Sequence, residues 1–195
     1  MAKMAATTAR ICLGGTFNPI HYGHLITARA AAEAIGATVV LIPCFQPPHK
    51  PDTADLAPAD DRMEMCRLAV SGIDGFEVDD IEIRRGGISY TIDTVRQLKL
   101  RGWPQVHWLI GMDQVPTLPT WHKNEELLRE VKLVVVTRTG NAVSWPNAVR
   151  VPDIEISATE IRRRVAAGLP IDFLTPPAVV EYIRRRGLWK AESPA

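Results

Sequence analysis

The sequence predicts an α/β protein of one domain, built on a doubly wound parallel sheet. Short apolar runs at 10–13, 39–42, 108–110 and 133–136 alternate with longer helical patterns. Such runs are typical of central parallel strands that are covered on both faces. Each run is followed by turn-forming or polar residues. Because ligands of these sheets bind beyond the carboxyl ends of the strands, we expect the four following segments to open onto one edge.

Size, charge and cysteine content narrow the class of protein further. A chain of 195 residues can bury roughly 70% of its unfolded surface in a single core. The formal net charge of +1 favours a small anionic ligand over a nucleic acid. No window reaches the about 18 apolar residues of a membrane span, so no membrane partner is expected. Three scattered cysteines, with no CxxC pair, favour buried thiols in a reducing cytoplasm.

The first strand is expected to follow a disordered leader, residues 1–9, and to open a domain that covers residues 10–190. It leads into the segment GGTFNPIHYGH at residues 14–24, after which an alanine-rich stretch predicts a helix over 25–35. The two glycines allow the chain to bend and a ligand to come close to the backbone. A helix beginning aims its N–H groups at an anion, so this segment predicts a phosphate-binding turn.

Two histidines are the candidate functional side chains of this turn. His21 and His24 lie three positions apart and can share one helix face. A lone histidine here would more simply be a surface or capping residue, but the neighbouring glycines and Asn18-Pro19 favour contact with a phosphate. No carboxylate or cysteine nearby suggests a closed zinc site, and no protein metal site is predicted. Gly23 costs about 1 kcal/mol relative to alanine, for which close ligand approach is one reason.

A second candidate phosphate site begins at Ser157. The Ser157-x-x-Glu160 pattern is a capping box, in which the serine hydroxyl and the glutamate each serve an unpaired N–H. The pattern does not explain the arginines at 162–164, which lie near the positive end of the helix dipole and repel one another. An anion at this helix beginning would reduce both the repulsion between the arginines and their unfavourable interaction with the helix dipole.

Several of these segments together resemble a known family. His21-Tyr22-Gly23-His24 is similar to the HxGH signature of nucleotidyltransferases, and the block at 14–24 resembles bacterial nicotinate-nucleotide adenylyltransferases in particular. The stretch from Ser157 to Arg162 resembles the family's SxTxxR signature. The resemblance spans roughly residues 10–189. It implies a Rossmann-like fold and transfer of the adenylyl group of ATP to nicotinate mononucleotide, with pyrophosphate released, in NAD biosynthesis.

The resemblance also implies roles for individual residues. The implied catalytic residues are His21, His24 and Arg162. The implied ATP-binding residues are Gly14, Gly15, Thr16, Phe17, Gly111, Asp113, Arg138, Ser157 and Thr159. At the last of the four strand ends, the family usually shows Arg-Pro-Gly where this chain has Arg-Thr-Gly. Arg163 and Arg164 are expected to be solvated.

Two further stretches carry the resemblance to the acceptor side. Residues 87–94 are similar to the family's SYT element, and residues 119–122 to its TWH element. Considered alone, they would be a helix cap and a buried aromatic residue. The resemblance implies that Trp121 stacks on the nicotinate ring and that nearby backbone N–H groups receive its carboxylate. The implied acceptor-binding residues are Asn18, His49, Lys50, Tyr90, Thr91, Trp121 and His122; for His49 and Lys50 a solvated loop is the alternative.

The implied reaction needs no nucleophilic side chain. The acceptor phosphate, with a second pKa of about 6, is largely dianionic near pH 7 and can attack ATP directly. The protein must hold two polyanions in line and stabilise the departing pyrophosphate. Mg²⁺ is expected to be held mainly by ATP phosphates and water. Two alternatives stay open: another HxGH transferase, such as a phosphopantetheine adenylyltransferase or a cytidylyltransferase, and a catalytically silent nucleotide sensor.

The C-terminal segment predicts one more helix. Thr175 is expected as its N-cap, with proline at the first helical positions. We expect this helix to pack on the core, with Leu188 and Trp189 closing one edge. The oligomeric state cannot be predicted from the sequence.

Overall fold

A six-stranded parallel sheet forms the centre of the protein in a computed structural model, which describes residues 9–48, 54–138 and 145–191. The strands are β1 (Arg10–Gly15), β2 (Thr38–Pro43), β3 (Phe76–Val78), β4 (His107–Gly111), β5 (Lys132–Arg138) and β6 (Val149–Val151). Their order in the sheet is β3-β2-β1-β4-β5-β6, and every neighbouring pair is parallel. The predicted α/β class with a parallel sheet is confirmed.

Helices cover both faces of this sheet. They are α1 (Tyr22–Ile35), α2 (Ala59–Val70), α3 (Ile81–Arg85), α4 (Thr91–Leu100), α5 (Asn124–Glu130), α6 (Ala158–Ala166) and α7 (Pro177–Arg186), with a 3₁₀ helix at Met112–Thr120. Along β2, Val39 and Leu41 pack towards α1, α2, α6 and α7. Val40 and Ile42 pack towards α3, α4 and α5 on the other face. None of the helices described is both long and apolar enough to cross a membrane.

The four strands predicted from the sequence lie within β1, β2, β4 and β5, and their following segments all leave the same edge of the sheet. The two edge strands, β3 and β6, were not predicted. Each has three residues, too few for a recognisable apolar run. The predicted first helix, with Gly23 in its first turn, begins at Tyr22 and ends as expected before Gly36, whose φ is +63°.

A crevice opens between β1 and β4 at the carboxyl edge. Their pairing involves Ile11 with His107 and Cys12 with Trp108, whereas β1 stays paired with β2 as far as Gly15. Strands β2 and β3 lie on one side of β1, and β4, β5 and β6 lie on the other. The strand order therefore changes direction between β1 and β4, which is where ligands of doubly wound sheets bind. Both of the phosphate-binding segments predicted above lead to this edge.

The C-terminal segment anchors itself to the loop after β1. Helix α7 begins at Pro177 and its N-cap residue is Pro176. The prediction of Thr175 as N-cap is therefore wrong: its buried hydroxyl donates instead to the Ile20 carbonyl oxygen at 2.7 Å. The expected packing at the end of the helix is confirmed, because Leu188 and Trp189 lie against the core.

Candidate active site

The loop between β1 and α1 is held in place by its own side chains and by the segment before α2. Phe17 is buried and has a φ of +48°. The Asn18 amide is also buried: its Nδ2 donates to the Asp55 carbonyl and its Oδ1 accepts from the Ala57 N–H, both at 2.9 Å. Asn18, predicted to bind the acceptor, therefore already uses its amide to join two loops.

The two histidines of the motif are in contact at the beginning of α1. His21 is the N-cap residue and His24 lies in the first turn. Their rings stack with centroids 3.7 Å apart, and the Nδ1 of His24 accepts from the His21 N–H at 3.3 Å. Phe17 meets the His24 ring edge-on at 5.1 Å. The structure thus brings together the two imidazoles that the sequence singled out.

Burial determines the protonation state of His21. It lowers the pKa of the His21 imidazole from 6.5 to about 4, so this ring is neutral near pH 7. Within the described part of the chain, the buried Nδ1 of His21 has no hydrogen-bond partner. A neutral imidazole retains one N–H donor and one acceptor nitrogen. His21 can therefore bind a ligand through a hydrogen bond without contributing a positive charge.

The glycines of the motif make room for aromatic rings. A Cβ atom at Gly23 would lie 3.0 Å from the His21 ring and 3.5 Å from the Ile156 carbonyl oxygen. At Gly15 it would lie 3.1 Å from the Phe17 ring, and at Gly14 it would lie 2.5 Å from Trp108. The expectation that Gly14 and Gly15 bend the chain is wrong, since both continue strand β1. Internal packing is also a sufficient reason for Gly23.

The beginning of α6 confirms half of the predicted capping box. Ser157 is the N-cap residue, and its Oγ accepts from the Glu160 N–H at 3.1 Å. The carboxylate of Glu160 does not reach back; it accepts two hydrogen bonds from Arg163, each at 2.8 Å. Arg164 donates to the Pro170 carbonyl at 2.8 Å. Only the first arginine of the run points towards the loop after β1.

That first arginine, Arg162, joins the two helix beginnings. Its Nη1 donates to the Asn18 carbonyl at 2.9 Å, and its Nη2 lies 3.5 Å from the Thr159 Oγ1. Among the residues described, the buried Nε of Arg162 finds no partner. Ser157 and Thr159 are exposed beside it. The beginnings of α1 and α6 therefore lie on the same side of the sheet, where each helix has the positive end of its dipole.

A cavity opens at the same carboxyl edge of the sheet, at the ends of β1, β2 and β4. Its volume is about 140 Å³, and its lining residues include Gly15, Thr16, Cys44, Tyr90, Trp108 and Trp121. A cavity of about 150 Å³ in another protein accommodates a benzene molecule. The space therefore suits one six-membered aromatic ring.

The structure also brings together most of the predicted acceptor residues around this cavity. The rings of Tyr90 and His122 stack with centroids 4.2 Å apart. Trp121 is half-buried, and its Nε1 donates to the Thr117 Oγ1 at 3.3 Å. Thr91 is the first residue of α4, so its N–H has no acceptor within the helix. An aromatic wall and an unpaired backbone donor thus share one pocket.

The remaining predicted residues are only partly described. Gly111 ends β4, and the carboxylate of Asp113 lies where a Cβ of Gly111 would be. Arg138 is the last residue of β5, but its side chain is not among those that the structure describes. His49 and Lys50 also lie outside the described residues.

Two buried charged groups near the cavity were missed from the sequence. Glu82 lines the cavity and accepts from the Thr94 Oγ1 at 2.6 Å, and burial raises the pKa of its carboxyl group. No pattern in the sequence distinguishes this glutamate from a solvated one. Arg62 is fully buried. Its spacing from the buried residues Cys66 and Ala69 places it on the apolar face of α2, which is the signal that could have identified it.

Comparison with known proteins is consistent with this geometry. The sequence pattern of the cytidylyltransferase-like family matches residues 12–164. A probable nicotinate-nucleotide adenylyltransferase of Gloeobacter violaceus is 41% identical, with 90% of this chain and 93% of that protein covered. One from Dehalococcoides mccartyi is 37% identical over 91% and 95%. The solved structure of Plasmodium falciparum nicotinic acid mononucleotide adenylyltransferase complexed with NaAD superimposes with a TM-score of 0.75 at 18% identity, covering 93% of this chain and 97% of that one.

Proposed function

Because this chain belongs to the cytidylyltransferase-like family and matches its nicotinate-nucleotide adenylyltransferases over most of its length, we infer that it adenylylates nicotinate mononucleotide. The reaction joins ATP to the mononucleotide and gives nicotinate adenine dinucleotide and pyrophosphate, a step of NAD biosynthesis. One observation of this chain supports the inference above others. The beginnings of α1 and α6 are joined through Arg162 and Asn18, at the carboxyl edge that also holds a cavity with the volume of one aromatic ring.

We assign the triphosphate of ATP to the two helix beginnings. His21, His24, Ser157, Thr159 and Arg162 would donate to its oxygens, and the N–H groups of Thr16 and Phe17 would add backbone donors. The unpaired Nε of Arg162 supports this assignment, since buried polar atoms are usually hydrogen-bonded. Gly14, Gly15, Gly111, Asp113 and Arg138 are proposed for the nucleoside part because they lie at the ends of β1, β4 and β5.

We assign the pyridine ring of the acceptor to the cavity. Trp121 would stack on the ring, with Tyr90 and His122 beside it, and the Thr91 N–H would receive its carboxylate. Neutral donors suffice for this contact because the α4 beginning adds the positive end of its dipole. His49 and Lys50 are proposed for the acceptor phosphate. The amide of Asn18, already paired with Asp55 and Ala57, is proposed to position the loop.

Catalysis by these residues is mainly positioning and charge stabilisation. The acceptor phosphate attacks the α-phosphorus of ATP, and the bond to the pyrophosphate oxygen breaks. Arg162 and the two histidines would stabilise the charge on the departing pyrophosphate. Neutral His21 donates a hydrogen bond there and takes no proton. Mg²⁺, if bound to the phosphates, would neutralise part of the same charge.

The residues described fit a metal held by the ligand. Among them, no group of three or more histidine, cysteine, aspartate or glutamate side chains could hold an ion. We therefore propose that ATP brings Mg²⁺ into the site. The buried, free thiols of Cys12, Cys44 and Cys66 support our proposal that the enzyme acts in the cytoplasm. Residues 10–190 are proposed as its catalytic domain.

The assignment is tested by measuring pyrophosphate release from ATP and Mg²⁺ with four acceptor conditions. These are nicotinate mononucleotide, nicotinamide mononucleotide, phosphopantetheine and no acceptor. We expect rapid release with the nicotinate compound, release at least tenfold slower with the amide, and none with the other two. Release with phosphopantetheine alone would favour the other HxGH transferases. No release with any acceptor would contradict the inference, and a preference for the amide would contradict recognition of the carboxylate.

A further inference from the structure

A buried arginine lies beneath the site, and four of its hydrogen bonds are to backbone carbonyl groups. Arg62 on α2 is 0% exposed. Its Nε donates to the Ala57 carbonyl at 3.0 Å, and its Nη2 to the Phe45 carbonyl at 2.8 Å. Its Nη1 donates to the carbonyls of Thr16 at 2.9 Å and Cys44 at 2.6 Å. One guanidinium group thus binds three separate segments of the chain.

Two of those segments line the acceptor cavity. Thr16 follows β1 and Cys44 follows β2, and both residues line the cavity. The next residue, Phe45, donates its N–H to the Oγ of Ser89 at 3.0 Å, and Ser89 is a lining residue too. The spacing of three walls of the cavity therefore depends on where the guanidinium holds these carbonyl groups.

The same network continues to the phosphate side. Ala57 donates its N–H to the Asn18 Oδ1 while its carbonyl accepts from Arg62. The Asn18 carbonyl in turn accepts from Arg162. A continuous set of hydrogen bonds thus runs from Ser89, beside the pyridine pocket, to Arg162, beside the triphosphate site.

Stability alone does not explain an arginine at this position. All five acceptors of Arg62 are uncharged, four of them carbonyls and the fifth the Cys44 Sγ at 3.8 Å. Burial of a charge against uncharged groups is costly compared with burial of an apolar side chain. A planar group with five donors, however, can fix several carbonyls at once. A lysine ammonium carries three donors on a single atom and cannot span the same set.

We propose that Arg62 is a positioning residue for the reaction, which sets the spacing of the loops after β1 and β2 around the acceptor. The proposal rests on the proposed function, since it concerns the pocket assigned to nicotinate mononucleotide. Arg62 need not touch either substrate. Its loss should affect the acceptor more than ATP, because Cys44 and, through Phe45, Ser89 line the acceptor cavity, while only Thr16 among its partners is also assigned to ATP.

The test compares Arg62→Lys and Arg62→Met with Asp61→Asn, a control on the same helix. Asp61 is also buried, but it accepts from the Tyr182 hydroxyl at 2.7 Å and the Arg186 Nε at 2.9 Å, away from the cavity. kcat and KM for each substrate are measured well below the Tm of every variant. Trimethylamine oxide is added to all samples, because it favours the folded state without replacing any donor. Binding of nicotinate mononucleotide is measured separately by calorimetry.

We expect both Arg62 variants to lower kcat/KM for nicotinate mononucleotide at least tenfold and to change KM for ATP less than threefold. Their affinity for the mononucleotide should fall by a similar factor. Asp61→Asn should lower Tm and leave all kinetic constants of the folded protein unchanged. Arg62→Lys, which keeps the charge, should not restore the acceptor affinity.

Three results would overturn the proposal. Activity in folded Arg62→Lys equal to that of the unsubstituted enzyme would show that charge alone suffices. Equal losses for both substrates, or losses matched by Asp61→Asn, would show a role in general stability. If Arg62→Lys stays unfolded in trimethylamine oxide, this would also show that Arg62 is needed for the stability of the whole fold. Failure of the unsubstituted protein to release pyrophosphate would instead contradict the proposed function.

Discussion

His21 and His24 stack on each other, yet their surroundings differ. The imidazole of His21 is 6% exposed and its pKa is lowered to about 4 by burial, while His24 lies in a half-buried position on the first turn of α1. Two adjacent protonated rings would repel each other, and a neutral His21 avoids this repulsion. The pair therefore presents hydrogen-bond donors to an anion while it keeps its geometry near pH 7.

The low pKa of His21 makes stability depend on pH. Between about pH 4 and 6.5, the unfolded chain protonates this residue while the folded chain does not. The free energy of unfolding should therefore fall as the pH is lowered through this range. Urea unfolding at pH 7.5 and 5.0 should show His21 contributing a loss of about 2 kcal/mol. In His21→Asn this part of the pH dependence should disappear; an identical dependence would refute the assignment.

His24 offers the most direct test of the phosphate site. Its removal should lower the rate of the chemical step more than tenfold, because one donor to the charged phosphates is lost. The fold should survive His24→Ala. Single-turnover pyrophosphate release gives the rate, and circular dichroism checks the fold. His107→Ala is a matched control, since His107 lies at the opposite edge of the sheet beside the Arg10 carbonyl. An unchanged rate in His24→Ala would remove this residue from the site.

Among the elements, the segment before α7 helps to hold the loop that carries the histidines. The Tyr22 N–H donates to the Leu174 carbonyl at 3.1 Å, and the Thr175 hydroxyl donates to the Ile20 carbonyl at 2.7 Å. These contacts lie immediately before α1 and α7 begin. The position of the first helix in the site thus depends on residues about 150 positions further along the chain.

Thr175→Val should test this anchor. Valine has nearly the shape of threonine but no donor, so the buried Ile20 carbonyl would lose its partner at a cost of about 1 to 3 kcal/mol. Thr175→Ser keeps the hydroxyl and should lose less than half as much. Urea unfolding measures both variants. Equal losses would show that the methyl group, and not the hydrogen bond, stabilises the segment.

Elements with a local sequence pattern could be predicted from the sequence. Hydrogen bonds between groups far apart in the chain could not. The apolar runs predicted β1, β2, β4 and β5, because central strands are buried on both faces. The Ser157 cap followed from a hydroxyl three residues before its partner. Thr175 followed the same reasoning and failed, because its hydroxyl found a carbonyl in a distant loop. The burial of Arg62 could have been predicted from its spacing in α2, but its hydrogen bonds could not, since most of its acceptors come from segments that are far from it in the sequence.

Across the whole molecule, the sheet order brings the two halves of the site together. The HxGH loop follows β1, the SxTxxR segment follows β6, and the acceptor residues lie on α4 and after β4. Their positions at one edge follow from parallel strands with right-handed crossovers. For the HxGH loop and the residues after β4, which follow predicted strands, the positions in the sequence could therefore predict this convergence. For the SxTxxR segment they could not, because β6 was not predicted. The hydrogen bonds that fix their spacing could not be predicted in this way.

The absence of a metal-binding cluster in the described ranges predicts how the whole protein responds to chelation. EDTA should stop pyrophosphate release, and added Mg²⁺ should restore it, because the ion arrives with ATP. The Tm of the ligand-free protein should stay within about 1 °C, since no structural ion would be removed. Calorimetry with and without EDTA measures this. A large drop in Tm would reveal an ion bound by the protein itself.

The contact between Gly14 and Trp108 has a consequence for how related sequences can diverge. The indole ring occupies the volume that any larger residue at position 14 would need, and it is buried at 3% exposure. The two positions therefore behave as a size pair. Among related sequences we expect alanine or serine at position 14 to accompany a smaller side chain at position 108. Of the four combinations, the one with the larger residue at position 14 and tryptophan at position 108 should be the least stable.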